Sequence, residues 1–173
     1  MNYPFLYQIL CRMDVEALRA DIKKTQTTHV VWDDWTLQEI DSDLLNNFVS
    51  EKFSHLEVFG NKFFISSGTY SNFHLDRFEY FHLTHRVLIP IDQNFHYEWI
   101  VDGKTVTYQP EAGQVILMNN MVPHRFVSNL PQPAARDVVY FDLIDPAIKH
   151  HVKEFDKNYS YENGELDRTL GKK

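Results

Sequence analysis

RVLIPIDQNFHYEWIVDGKTVTYQPEAGQVILM (residues 86–118) holds four short β-rich runs: RVLIPI (86–91), FHYEWIV (95–101), KTVTYQ (104–109) and QVILM (114–118). Each is rich in β-branched and aromatic residues, and each is cut off by turn formers, so each reads as a strand. Asp102-Gly103 joins two of them, and two residues of that kind between β-runs predict a tight hairpin. Pro110-Glu111-Ala112-Gly113 marks a second turn. Working outward, NKFFISSG (61–68) and DVVYFDL (137–143) have the same character. The second is apolar on both faces, with Val138 and Tyr140 on one and Val139, Phe141 and Leu143 on the other, as in a strand covered on both sides. Short strands at this spacing predict a sandwich or barrel of about eight strands.

The first 60 residues are mixed. MDVEALRADIKK (13–24) has Asp14 as an N-cap, with Leu18 and Ile22 at helical spacing. HVVWDDW (29–35) has β-formers, and DSDLLNNFVSEKF (41–53) reads as a helix opened by an acidic cap. PAIKHHVKEFDKN (146–158) reads as a closing helix, with Asp145 before it and Pro146 at its first position. The expectation is one domain over 1–173: a helical and mixed part (1–60) packed outside a β core (62–145), then a C-terminal helix and tail (146–173).

Composition narrows the class. Apolar residues make up 43% of the 173 residues and aromatics 14%, enough for a real core. Lysine and arginine total 17 against 24 acids, and the net charge of −7 disfavours nucleic acid or an anionic membrane as partner. Cys11 is the single cysteine, so no intrachain disulfide can form and a cytoplasmic location is expected. The start lacks a basic n-region before an apolar run, and no stretch approaches the roughly 20 apolar residues that span a bilayer.

The chemistry lies in His74 and Asp76 of SNFHLDRF, His124 of NNMVPHRF and Arg136 of AARDVVYFDLID. In an extended strand, residues i and i+2 share a face, so His74 and Asp76 can present an imidazole and a carboxylate to one metal ion. An imidazole from a distant strand completes two histidines and one carboxylate, a set that leaves coordination sites open and suits non-haem Fe(II). Arg136, on the next strand, can clamp the far carboxylate of a dicarboxylate such as 2-oxoglutarate, or be a surface residue. Arg86 can serve a carboxylate ligand or form a salt bridge to a nearby acid. Asn119 and Asn120 cap the turn before His124 or orient that ligand.

Nine histidines make chance pairs common. His82 and His85 are three apart and face opposite sides of a strand, so they chelate poorly. His29, His55 and His96 show no partner at ligand spacing, and His150 and His151 sit in a charged helix. Tyr80, Phe81, Tyr97 and Trp99 line a substrate pocket or pack in the core.

Taken together, HLD, HRVLIPI, EWIVDGKTV, GQVILMNN, PHRFVSN and RDVVYFDLID, in that order from His74 to Asp145, resemble the aspartyl/asparaginyl β-hydroxylase-like branch of the Fe(II)/2-oxoglutarate oxygenases, which includes bacterial cis-proline hydroxylases. The resemblance implies a mainly β fold with flanking helices, a double-stranded β-helix of jelly-roll, cupin-like form. It implies that His74, Asp76 and His124 hold Fe(II), that Arg136 pairs with the C5 carboxylate of 2-oxoglutarate, and that Arg86 lies near a cosubstrate or substrate carboxylate. With O2, such an enzyme hydroxylates an unactivated carbon of an amino acid, or of an aspartyl, asparaginyl or prolyl-type residue, and releases succinate and CO2. The animal branch lacks the carboxylate ligand, so Asp76 places the chain nearer the bacterial amino-acid hydroxylases. PHRFVSN departs from the small residue usual after the distal histidine, and Arg125 is expected to point away from the metal. Two other readings stay open on the residues alone: a cupin-like metalloenzyme that does not use 2-oxoglutarate, and a non-catalytic β-barrel binding module.

Overall fold

The computed structural model describes residues 5–32, 35–68, 71, 73, 84–119, 121–129 and 136–149. In chain order these form β1 (Tyr7–Arg12), α1 (Val15–Asp21), β2 (Lys23–Trp32), β3 (Trp35–Asp41), α2 (Asp43–Lys52) and β4 (Glu57–Val58). A 3-10 turn at Phe59–Asn61 leads to β5 (Phe63–Gly68), β6 (Thr84–Pro90), β7 (Phe95–Val101), β8 (Lys104–Tyr108), β9 (Gln114–Met118), β10 (His124–Ser128) and β11 (Arg136–Ile144).

The strands make two antiparallel sheets. The larger runs β1-β9-β6-β11-β5-β3-β2, with β4 also on β11, and the smaller runs β10-β7-β8. Apolar residues alternate along the strands and so fill two layers. Leu88, Ile116, Met118, Val138 and Tyr140 of the large sheet meet Phe95, Tyr97, Trp99 and Phe126 of the small one, which makes the interior of the β-helix. Val87, Ile89, Val115, Val139, Phe141 and Leu143 point the other way, onto Leu18 of α1 and Leu45 and Val49 of α2. β11 is thus buried on both faces, as its apolar sequence requires.

The helices begin where the caps stand. Asp14 Oδ1 accepts from the amides of Glu16 and Ala17 at 2.9 and 3.1 Å. Ser42, rather than an acid, caps α2, accepting from the Leu45 amide at 3.0 Å. α1 is shorter than its periodicity predicts: Ile22 is extended, and Lys23 and Lys24 already belong to β2. The N-terminal part is also more β than expected, since β1, β2 and β3 add three strands to the large sheet. The Asp102-Gly103 hairpin forms as predicted, with both φ values positive at 50° and 72°. At the closing end, Asp145 Oδ1 accepts from the Ala147 amide at 2.8 Å. Of the expected helix over 146–158, residues 146–149 form a tight turn, the Ile148 amide donating to the Asp145 carbonyl at 3.0 Å, and residues 150–158 lie outside the described residues. No described helix is long and apolar enough to cross a membrane.

Candidate metal centre

His124 opens β10 directly opposite Trp99 of β7, and both are buried, with His124 4% exposed. Its approach is rigid. Asn119 accepts from the Met121 amide at 3.0 Å and donates to the Phe5 carbonyl at 3.2 Å, so this asparagine caps the turn. The Pro123 carbonyl accepts from the Ile100 amide at 2.9 Å. His124 Nδ1 lies 2.9 Å from the Val122 carbonyl. A carbonyl only accepts, so Nδ1 carries the hydrogen, and in the neutral ring Nε2 is then the nitrogen that a metal would take.

The chain leading to the H-x-D motif is stitched to the same strand. The Ser71 amide donates to the Phe126 carbonyl at 3.0 Å, and the Phe126 amide donates back to Ser71 Oγ at 3.1 Å. Two residues on, the Phe73 ring lies under the Arg125 guanidinium, 4.4 Å from the ring centroid. Arg125 Nε donates to Glu98 Oε2 at 2.7 Å on the outer face of β7, away from the buried Tyr97 and Trp99. His74 and Asp76 lie outside the described residues, as do Tyr80, Phe81, His82, Asn120, His150 and His151.

His96 corrects the expectation that it lacks a partner. Glu98 stands two residues on, with Nε2 to Oε1 at 3.1 Å, and Nδ1 is 2.5 Å from Asn129 Oδ1. The H-x-E spacing was the signal. Because Arg125 holds the other carboxylate oxygen, the cluster works as an ion-pair network. Burial alone would push the Glu98 carboxyl up. The hydrogen bonds from Arg125 and His96 outweigh it and hold the carboxyl below the ordinary glutamate range.

Of the two roles open to Arg86, the structure contains the salt bridge. Nε and Nη2 fork onto Asp142 Oδ1 and Oδ2 at 3.1 and 3.0 Å, across the β6–β11 pair and over the Tyr140 ring. Position 86 shares the interior side of β6 with Leu88, whereas His85 pairs with Leu143 on the helix side, where burial holds its imidazole below the usual histidine value.

Arg136 is the first residue of β11, and its backbone pairs with Gly68; its side chain is not among those described. That strand start is tied down at the next residue. The Asp137 amide donates to Asp92 Oδ2 at 2.7 Å, its carbonyl accepts from Ile91 at 2.9 Å, and its carboxylate accepts from Ser67. Among the described residues no group of three or more histidines, cysteines or acids could hold a metal, as follows when two of the three candidate ligands fall outside them.

No protein-family model matches the sequence, and no curated protein matches it. Solved structures do. HygX from Streptomyces hygroscopicus, crystallised with nickel, 2-oxoglutarate and hygromycin B, matches at a TM-score of 0.55 and 8% identity over 82% of this chain and 83% of its own. An oxidoreductase of the 2OG-Fe(II) oxygenase family from Burkholderia pseudomallei matches at 0.53 and 12% over 76% of each chain. SnoN, a non-heme α-ketoglutarate-dependent epimerase from nogalamycin biosynthesis, matches at 0.50 and 13%, over 76% of this chain and 69% of its own. Some other matched structures are longer, and the chain spans 54% or 51% of their length. None of these is described as an aspartyl/asparaginyl hydroxylase. At such identities the likeness establishes the fold alone, a cupin-like double-stranded β-helix like that of these neighbours.

Proposed function

We propose that the protein is an Fe(II)- and 2-oxoglutarate-dependent dioxygenase in which His74, Asp76 and His124 hold the iron. The observation that carries this reading is the attachment of Ser71 and Phe73 to β10. It brings the chain to within one residue of His74 beside the strand that opens with His124, and consecutive Cα atoms are about 3.8 Å apart. The donor set fits the ion. His124 is buried with Nδ1 against a carbonyl, which in the neutral ring makes Nε2 the nitrogen that a metal would take. With Asp76 as the carboxylate ligand, one net positive charge would remain on the metal.

In this reading Arg136 binds the C5 carboxylate of 2-oxoglutarate. By strand alternation position 136 has the parity of Val138 and Tyr140, which face the interior of the β-helix. A carboxylate buried there needs a cation, and a guanidinium pairs with it bidentately. Arg86, bound up with Asp142, is then a structural ion pair of the barrel wall, and the clamp falls to Arg136. When bound, Fe(II) and 2-oxoglutarate would supply the oxidising chemistry, which would leave one oxygen atom of O2 in succinate, with loss of CO2, and the other on the substrate carbon. The chain's own residues bind, orient and exclude water. The resemblance of residues 74–145 to the aspartyl/asparaginyl hydroxylase branch makes an amino acid, or an aspartyl, asparaginyl or prolyl-type residue, the proposed substrate, with hydroxylation as the outcome.

Metal titration under argon tests the ligand set. One Fe(II) should bind per chain, and His74→Ala, Asp76→Ala and His124→Ala should each lose it while remaining folded by circular dichroism. Undiminished binding by His124→Ala sinks the assignment.

A further inference from the structure

Trp99 is wholly buried, and its Nε1–H has no hydrogen-bond acceptor among the described residues. Buried donors left unpaired are rare in folded proteins, and each calls for an explanation. The ring cannot turn to find an acceptor. It is stacked on Tyr7 with centroids 5.7 Å apart and planes 20° apart, and Tyr97 lies against it at 5.9 Å. Tyr7 is itself stacked on Tyr108 at 3.9 Å. Among the described residues, then, the polar edge of this clamped indole is left without an acceptor.

Its position narrows the choice of acceptor. Trp99 is the register partner of His124, so their Cβ atoms stand about 5 Å apart on the interior face of the small sheet. β11, which carries Arg136, belongs to the facing sheet, about 10 Å away. A dicarboxylate reaching from His124 toward β11 puts its metal-chelating end, not its C5 end, beside Trp99. We propose that Trp99 Nε1–H donates a hydrogen bond to a carboxylate oxygen at the chelating end of 2-oxoglutarate, and so positions the cosubstrate. This rests on the function proposed above. The indole has a donor and no acceptor, so it favours an anionic oxygen over a neutral donor group.

The test uses the full chain loaded with Zn(II), which leaves nuclear magnetic resonance signals sharp, and 2-oxoglutarate as probe. The Trp99 indole signal is identified by its loss in Trp99→Phe. It should move downfield when 2-oxoglutarate is added, and not when metal alone is added. Trp99→Phe should raise the 2-oxoglutarate Kd about ten- to a hundredfold, the worth of a hydrogen bond to a charged group. Benzothienylalanine at position 99 keeps the ring shape but replaces N–H with sulfur. It should weaken binding to the same extent, which separates the donor from ring volume and from any failure of Trp99→Phe to fold. If 2-oxoglutarate binds the metal-loaded protein but the indole signal stays put, or the isostere binds as wild type does, the Trp99 assignment falls and the dioxygenase reading stands. A shift caused by metal alone would assign the donor to a metal-bound water and overturn the cosubstrate contact. Metal bound with no affinity for 2-oxoglutarate overturns both.

Discussion

Ser71 and Phe126 exchange two hydrogen bonds, amide to carbonyl at 3.0 Å and amide to hydroxyl at 3.1 Å, and this pair ties the approach of the H-x-D motif to the strand of His124. Ser71 is 1% exposed, so the Phe126 amide has no water to turn to if the hydroxyl is removed. Ser71→Ala should therefore cost about 1–3 kcal/mol of stability. It should also weaken metal binding, because the segment before His74 loses an anchor. Urea unfolding and metal titration check the two effects separately.

The Arg125–Glu98–His96 network gives a pH dependence with a defined sign. The folded Glu98 carboxyl is held below its ordinary value of 4.5. Its contribution to stability is thus fully present above 4.5 and is lost as pH falls through the depressed native value. Denaturant midpoints from pH 7 down to acid should show that loss in wild type and a shallower fall in Glu98→Gln. Identical slopes would remove Glu98 from the account.

Arg86 and Asp142 are 13% and 8% exposed, so each is costly to leave alone. Asp142→Ala takes the forked carboxylate away from a largely buried cation and should destabilise by about 3 kcal/mol, whereas replacing both with Met and Leu should recover most of the loss. If Arg86 serves the barrel wall only, the double variant should keep the wild-type affinity for 2-oxoglutarate within a small factor. A large drop there would return Arg86 to the cosubstrate.

Gly113 has φ +79°, and a Cβ added there would lie 2.4 Å from the Met13 carbonyl oxygen. The close approach joins the β8–β9 turn to the start of α1, since the Met13 amide donates to the Gly113 carbonyl at 2.8 Å. Gly113→Ala should cost about 1–3 kcal/mol, from the strained φ and the displaced backbone. Thermal unfolding measures it.

What could be read ahead of the structure follows the range of the forces involved. The Asp102-Gly103 hairpin depends on two adjacent residues with positive φ, and it formed where the sequence put it. The two-sided burial of β11 shows in its own composition, as does the capping of α1 by Asp14. Only the end of β2, within HVVWDDW, shows β-formers; its first half does not announce itself, because β2 is the outermost strand of its sheet and Lys23, Lys24, Gln26, Thr27 and Thr28 stay exposed, so the apolar alternation that marks a strand is missing there. The salt bridge of Arg86 was one of two options in the sequence. The ion pair itself becomes visible only in the register that sets Arg86 opposite Asp142. The Ser71 stitch had no local signal, since it is made to a strand distant in the chain, and neither had the Trp99 indole, which finds no acceptor among the described residues.

Arg136→Lys tests the clamp. Lysine keeps the charge but not the two-pronged geometry, so the KM for 2-oxoglutarate should rise about tenfold or more with the fold intact. An unchanged KM would mean that another residue holds the C5 carboxylate.

The most direct measurement is an anaerobic titration of the Fe(II)-loaded protein with 2-oxoglutarate, followed by visible absorption. Chelation through the keto acid should produce a weak metal-to-ligand charge-transfer band that saturates at one equivalent and is missing in His124→Ala. If iron is bound and no band develops, the protein is a metalloprotein of the same fold that does not use 2-oxoglutarate, and the central claim is wrong.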